Sequence, residues 1–226
     1  MAKTARPKSL VTFITEDLEK KILNGTLKQG QRLIEAELCR AYEVSQTPLR
    51  EALRILESNG YVTHEPRKGA FVTEIAIDEI EEIFRIRANL ESLATYLAIK
   101  RCTPEVISEL KKIHQKMIKV AAQKDVKAYF ALNFKFHETI IIASRSSRLI
   151  QMIQAFVKQT DRFRLDILKF PEMLKTSIEA HENIIQLFES GDAEKAERMR
   201  RDSILKRIKI YIQKVKEGKI EMDDFK

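Results

Sequence analysis

Beyond Glu74 apolar residues recur only at helical spacing, and this pattern rules out a sheet-based architecture for about two thirds of the 226-residue chain. Asp78 and Glu81 resemble a capping box heading a helix whose apolar stripe is Ile80, Ile83, Phe84, Leu90, Leu93, Ala94 and Leu97. Thr103-Pro104 opens a second helix, with Val106, Leu110, Ile113, Met117 and Val120 on one face. Asp125 precedes a third helix, Ser146-Ser147 a fourth reaching Phe170, Pro171 a fifth ending at Ser190, and Asp192 a sixth running to about Glu217. Short breaks make consecutive helices antiparallel neighbours, so residues 75–226 are expected to form an all-α antiparallel bundle of about six helices.

The first 74 residues carry a different pattern. Leu10, Phe13, Ile14, Leu18 and Ile22 lie at helical spacing and Asn24-Gly25 supplies a left-handed stop, which predicts a helix over 8–24. A connector containing Gly30 leads to a short helix from about Glu35 to Tyr42. Glu43-Val44-Ser45 makes a tight turn, with Ser45 placed to cap a third helix over about Gln46 to Ser58. There Leu49, Ala52, Leu53 and Leu56 form the stripe to be buried, while Gln46, Thr47, Arg50 and Arg54 project from the other side. Residues 60–74 alternate as two strands around Glu65-Pro66-Arg67-Lys68-Gly69, a hairpin with a basic tip. The fold class is therefore mainly α: a winged helix-turn-helix of three helices and a β-hairpin wing over 1–74, then the bundle. A helix after a tight turn, its leading residues polar and basic, suits insertion into a major groove of DNA.

Charge alone does not locate such a surface. The formal charge is +8, yet residues 1–74 hold 12 basic and 10 acidic groups against 29 and 23 in the rest. The 44% hydrophobic and 33% charged fractions are those of a globular protein. Cys39 and Cys102 lack the spacing of a disulfide framework or a cysteine metal site and suit a reducing cytoplasm. Lys3, Arg6 and Lys8 precede only the short apolar run from Leu10 to Ile14, and no apolar stretch reaches membrane-spanning length, so neither export nor membrane attachment is expected.

The run Val44-Ser45-Gln46-Thr47-Pro48-Leu49-Arg50-Glu51-Ala52-Leu53-Arg54-Ile55-Leu56-Glu57-Ser58-Asn59-Gly60-Tyr61-Val62 resembles the GntR family of transcription regulators, as do Ile22-Leu23-Asn24-Gly25 and Gly30-Gln31-Arg32-Leu33. The resemblance implies that Ser45, Thr47 and Arg50 meet phosphates or base edges, and that the tip with Lys68 and Gly69 reaches the minor groove. Two positions depart from it. Gln46 stands where relatives usually have arginine, and Ala36 where some have a contacting arginine. Arginine reads guanine bidentately whereas glutamine suits adenine, so the operator is expected to differ at that base.

Three polar residues of the second region fall on apolar faces. Arg87 lies one turn beyond Ile83, His137 follows Phe130 and Phe134 before Ile141, and His181 lies between Ile178 and Ile185. Buried polar groups need partners, so these either satisfy one another and water or hold a ligand. Asn133-Phe134-Lys135-Phe136-His137, Glu179-Ala180-His181, Gly191-Asp192-Ala193 and Arg87 with Leu90-Glu91 resemble the FCD ligand-binding domain of the FadR branch of that family. This implies effector-binding roles for Arg87, Asn133, His137 and His181; Arg87 is the candidate to meet an effector carboxylate, which a guanidinium binds bidentately. It also implies a divalent metal such as zinc or nickel on Asn133, His137 and His181. Counting without gaps places Ser203 where the last histidine is expected, with Asp202 beside it, and neither is an imidazole.

The resulting expectation is a cytoplasmic, homodimeric, non-enzymatic transcription regulator, a repressor by default. Its partners would be palindromic double-stranded operator DNA and a small organic-acid effector, possible metal assistance included. Two other classes compete. A metal-dependent enzyme would use His137 and His181 but lacks a convincing general base, nucleophile or phosphate loop. A helical interaction module would use the basic stretch from Arg198-Met199-Arg200-Arg201 through Lys216, a run more usually one solvated face of a helix.

Overall fold

In a computed structural model describing residues 9–220, the Ser9 hydroxyl accepts the Thr12 amide at 3.1 Å and opens α1 (Leu10–Leu23). Lys3, Arg6 and Lys8 lie outside the described residues. Helices α2 (Glu35–Tyr42) and α3 (Gln46–Ser58) flank a turn in which Glu43 takes left-handed backbone at φ 54°. Ser45 occupies the cap position of α3, but its side chain makes no capping hydrogen bond. The α3 stripe of Leu49, Ala52, Leu53 and Leu56 packs on Ile14, Leu18 and Ile22 of α1, and each large side chain removed from water there contributes about 1.5–3 kcal/mol.

Strands β2 (Val62–Glu65) and β3 (Gly69–Val72) form the expected antiparallel hairpin, with Arg67 and Gly69 in positive φ at its turn. The connector expected before α2 contains a further strand. In it β1 (Arg32–Leu33) pairs antiparallel with β3, so the sheet runs β1-β3-β2. Two residues have no periodicity to betray a strand; their pairing is fixed by Val72, whose carbonyl accepts from Gly30 N at 3.0 Å and whose amide donates to Gln31 O at 2.9 Å.

This first compact unit ends at Ala76 and a second begins at Ile77. The second is helical: α4 (Ile77–Lys100), α5 (Pro104–Ala122), α6 (Val126–Ala143), α7 (Ser147–Leu168), α8 (Pro171–Ser190) and α9 (Ala193–Lys216). Asp78 is the second residue of α4 and so lies inside the helix instead of capping it. Asp125 and Asp192 do cap, accepting from Ala128 N at 2.9 Å and Lys195 N at 3.0 Å. Gly191 closes α8 at φ 73°, a left-handed conformation that glycine takes without penalty. Helix α4 lies against α6, α7 and α9, while α5 covers α6 and α8. Within the expected α4 stripe Ala94 packs on Ile141, Leu149 and Ile153, but Leu93 is 44% exposed. Among the described residues no helix is long and apolar enough to cross a membrane.

Candidate functional site

The residues singled out from the sequence fall in two places, an exposed helix edge in the first unit and a buried cluster in the second. In the first, burial of Leu49, Leu53 and Leu56 turns the opposite edge of α3 outward, and Ser45, Gln46, Thr47, Arg50 and Arg54 are all exposed. Arg50 Nε donates to Glu35 Oε2 of α2 at 2.8 Å, which fixes the guanidinium across the helix-turn-helix. Lys68 and Gly69 are exposed at the wing tip, where Lys68 Nζ lies 2.7 Å from Glu65 Oε2. An exposed pair of this kind contributes little to stability, so phosphate can replace the carboxylate at small cost.

In the second unit Arg87, Asn133, His137 and His181 all point inward and are buried. Arg87 donates through Nε and Nη2 to Glu91 Oε1, at 2.9 and 2.6 Å, and through Nη1 to the Thr160 hydroxyl. The other Glu91 oxygen accepts from Arg200 Nη2. Burial alone would raise the Glu91 carboxyl, but Arg87, Arg200 and Arg164 outweigh it and hold the pKa down to about 2. Arg164 pairs with Asp161 at 2.7 Å, and burial pushes the Asp161 carboxyl up despite that contact. Arg207 donates to the Ser177 hydroxyl at 3.2 Å; burial, with Arg200 and Arg164 close by, lowers its guanidinium to about 10.

The histidines come together. His137 Nε2 lies 3.1 Å from His181 Nε2 and 3.3 Å from Arg200 Nη1. Arginine can only donate, so His137 Nε2 must accept, and His181 donates to the same atom from its own Nε2–H. Burial first, then Arg200 and the partner imidazole, drives His137 well below its ordinary value; burial, Arg207 and Arg200 do the same to His181. Both rings are neutral at pH 7. His137 Nδ1, His181 Nδ1 and Asn133 Oδ1 are buried without a protein partner.

The donor set does not fit the metal that the FCD resemblance implies. The His137 lone pair is already shared by two N–H donors, His181 Nε2 carries a proton, and the nearest α9 side chain is a cation. Asp202 is exposed and Ser203 half-buried, and both line a groove between α8 and α9 instead of joining the imidazoles. Among the described residues no group of three His, Cys, Asp or Glu side chains is placed to hold an ion.

Several residues of this cluster escaped the sequence reading. Arg200 belonged to a run read as solvated, yet it is only 6% exposed, and Arg201 beside it is half-buried on Glu197 and Ser92. The available signal was the spacing Arg200, Ile204, Arg207, Ile208, Tyr211, one helical face carrying two arginines. His114 of α5, 2.9 Å from Glu182 of α8, was also missed.

Residues 10–72 match the family profile described as bacterial regulatory proteins, gntR family, and residues 82–204 match that of the FCD domain. The HTH-type transcriptional regulator YdhC of Bacillus subtilis is 34% identical over 61% of this chain and 62% of its own length. McbR of Escherichia coli, also an HTH-type transcriptional regulator, is 32% identical over 65% of this chain and 66% of its own. The chain thus spans just under two thirds of these two relatives. The gluconate operon transcriptional repressor of Bacillus licheniformis is 29% identical over 75% of this chain and 68% of its own. The solved structure of E. coli McbR superposes with a TM-score of 0.77 at 26% identity, covering 92% of this chain and all of that one. With the helix-turn-helix and wing in one unit and the helical FCD fold in the other, the chain belongs to the gntR family of bacterial regulatory proteins.

Proposed function

We propose that the chain is a cytoplasmic transcription regulator that binds a palindromic operator as a homodimer and responds to a small organic-acid effector held by its helical unit. The observation that carries this reading is the outward edge of α3, where Ser45, Gln46, Thr47, Arg50 and Arg54 stand exposed over a fully buried Leu49-Leu53-Leu56 stripe. These positions are open to phosphates or base edges, Arg50 by giving up its exposed contact with Glu35, and Lys68 and Gly69 extend the surface to the wing. Repression is the sense we assign, in keeping with the gluconate operon repressor among the relatives. The effector shifts operator affinity by the difference in its affinity for the two states and by no more. For pairing, exposed Ile86 and Leu93 lie seven residues apart on one face of α4.

On this reading the buried polar cluster is an effector pocket and not a catalytic centre, and the relatives' names as transcriptional regulators accord with that. We place no metal on His137, His181 and Asn133, because the two Nε2 atoms that face one another are taken up by their mutual hydrogen bond and the α9 side chain beside them is the cation Arg200. The test is a fluorescence titration against the DNA upstream of the chain's own gene. Binding is expected to require both halves of a palindrome, to weaken steeply with salt, and to be lost in Arg50→Ala. Absent or salt-insensitive binding to every fragment overturns the assignment.

A further inference from the structure

We propose that the cation which holds the effector is a cluster of guanidinium groups, Arg164, Arg200 and Arg207, and that it takes a small dianion, a dicarboxylate or a phosphate monoester, without any metal ion. This deepens the regulator reading and rests on it, since it names the chemistry by which that effector is recognised.

The first ground is charge. Four guanidinium groups lie close enough to act on one another, Arg87 and Arg200 buried in the helical unit and Arg164 and Arg207 half-buried beside them. Among the described side chains the carboxylates set against them are Glu91 and Asp161. Glu91 is shared between Arg87 and Arg200, and Asp161 is engaged by Arg164. The cluster therefore holds about two more guanidinium groups than described carboxylates. A buried charge left uncompensated is costly, and an anion of matching charge relieves that cost.

The second ground is which guanidinium is free. Arg87 has Nε and Nη2 on Glu91 and Nη1 on Thr160, so all three of its nitrogens are engaged and it serves as a structural ion, whereas Arg164 and Arg200 each meet a carboxylate through one nitrogen. Arg207 is held by a neutral hydroxyl, and no described carboxylate pairs with it. Together with Arg164 and Asn133 it lines a small internal space of about 20 Å³ walled by Phe84, Phe163 and Tyr211, room for about one water-sized group. Arg207 also lines the groove between α8 and α9. One side chain thus faces both the interior and a route from outside, and its rotation would admit a ligand larger than the space it now bounds.

The third ground is the unpaired polar atoms. The tautomer forced on His137 leaves Nδ1 as a buried N–H without an acceptor, which an anionic oxygen would supply. Asn133 Oδ1 lacks a donor, which a hydroxyl on the same ligand would supply. Arg200, 3.3 Å from His137 Nε2, brings positive charge to the imidazole pair, the charge that a metal would otherwise bring.

The test uses the full chain treated with chelator and dialysed. Thermal melts are recorded with succinate, glycerol 3-phosphate, inorganic phosphate, acetate and glucose, each with and without added zinc or nickel. A dianion is expected to raise the melting temperature by about 5 °C near saturation, with or without metal, while acetate and glucose leave it within 1 °C. A response to succinate alone assigns a dicarboxylate, and a response to the phosphates alone a phosphate ester. Arg207→Met should melt no lower than wild type without ligand, because an uncompensated charge is gone, and should lose the dianion response at least tenfold in affinity. Its failure to fold, or a melt several degrees lower, counts against the charge argument. A wild type that ignores every dianion, or responds only when metal is added, overturns the proposal. Operator titration of the same samples separates the two readings. A dianion that binds through Arg207 without changing operator affinity leaves the guanidinium site standing and removes effector control. Operator control that appears only with metal does the reverse.

Discussion

His137 Nε2 and His181 Nε2 stand 3.1 Å apart, and with Arg200 Nη1 3.3 Å from the same His137 nitrogen only one arrangement of protons satisfies both contacts. His137 is the neutral imidazole protonated at Nδ1 and His181 the one protonated at Nε2. Nitrogen-15 NMR of the histidine rings at pH 7 should show these two different tautomers, unchanged by chelator. Elemental analysis of protein purified without added metal should find well under one divalent ion per chain. Two rings with matching Nε2 coordination, or a stoichiometric ion lost in His137→Ala, would contradict the tautomer assignment and the metal-free site together.

Glu91 makes the helical core sensitive to acid. Its carboxyl falls from an ordinary 4.5 to about 2 in the folded chain. Below 4.5 the unfolded chain takes up a proton that the folded chain refuses. The stabilisation is therefore complete above that pH and is lost as pH falls toward 2, with a span of about 3 kcal/mol. Glu91→Gln should flatten this part of the stability-against-pH curve. It should also cost about 3–5 kcal/mol at pH 7, since Arg87 and Arg200 lose their shared carboxylate. Urea melts from pH 7 down to 3 measure both effects; a variant as stable as wild type at pH 7 would show that the bridge is dispensable.

On the proposed reading Gln46, exposed at the leading edge of α3, sets a base preference. Its amide pairs in two directions with adenine, whereas an arginine there would pair with guanine. Gln46→Arg is expected to move the preferred base at one symmetric operator position from adenine to guanine, a change of about 1–3 kcal/mol in discrimination. Selection from a randomised palindrome with both proteins reads this directly, and identical logos would place Gln46 away from the bases.

Gly30 holds a left-handed bend at φ +69° so that its amide can reach Val72 O in the sheet. A Cβ there would come within 1.9 Å of Glu74 Oε1, the end of a side chain that can swing aside. The backbone conformation therefore sets the cost, and Gly30→Ala should lose about 1–2 kcal/mol. Gly30→Asn should lose less, because asparagine tolerates this region better. Chemical denaturation of the two variants distinguishes this from a steric effect, which would penalise Asn more than Ala.

What the sequence decided by itself is everything governed by neighbours along the chain. Helical periodicity located α4 to α9, Asp125 and Asp192 announced their caps, and the α3 stripe told which edge of the helix-turn-helix would face outward. Those features arise within one or two turns, so a single sequence carries them. Strand β1 was hidden because two residues gain their conformation only from Val72, about forty positions away. Helix α9 was misread for the same reason: Arg200 looked solvated until α4 brought Glu91 and α6 brought His137 against it. Which guanidinium is neutralised, which imidazole lone pair is taken and which polar atoms are left over depend on how five helices pack, because in a water-poor interior the energy of a charge is set by whatever lies within a few ångströms of it.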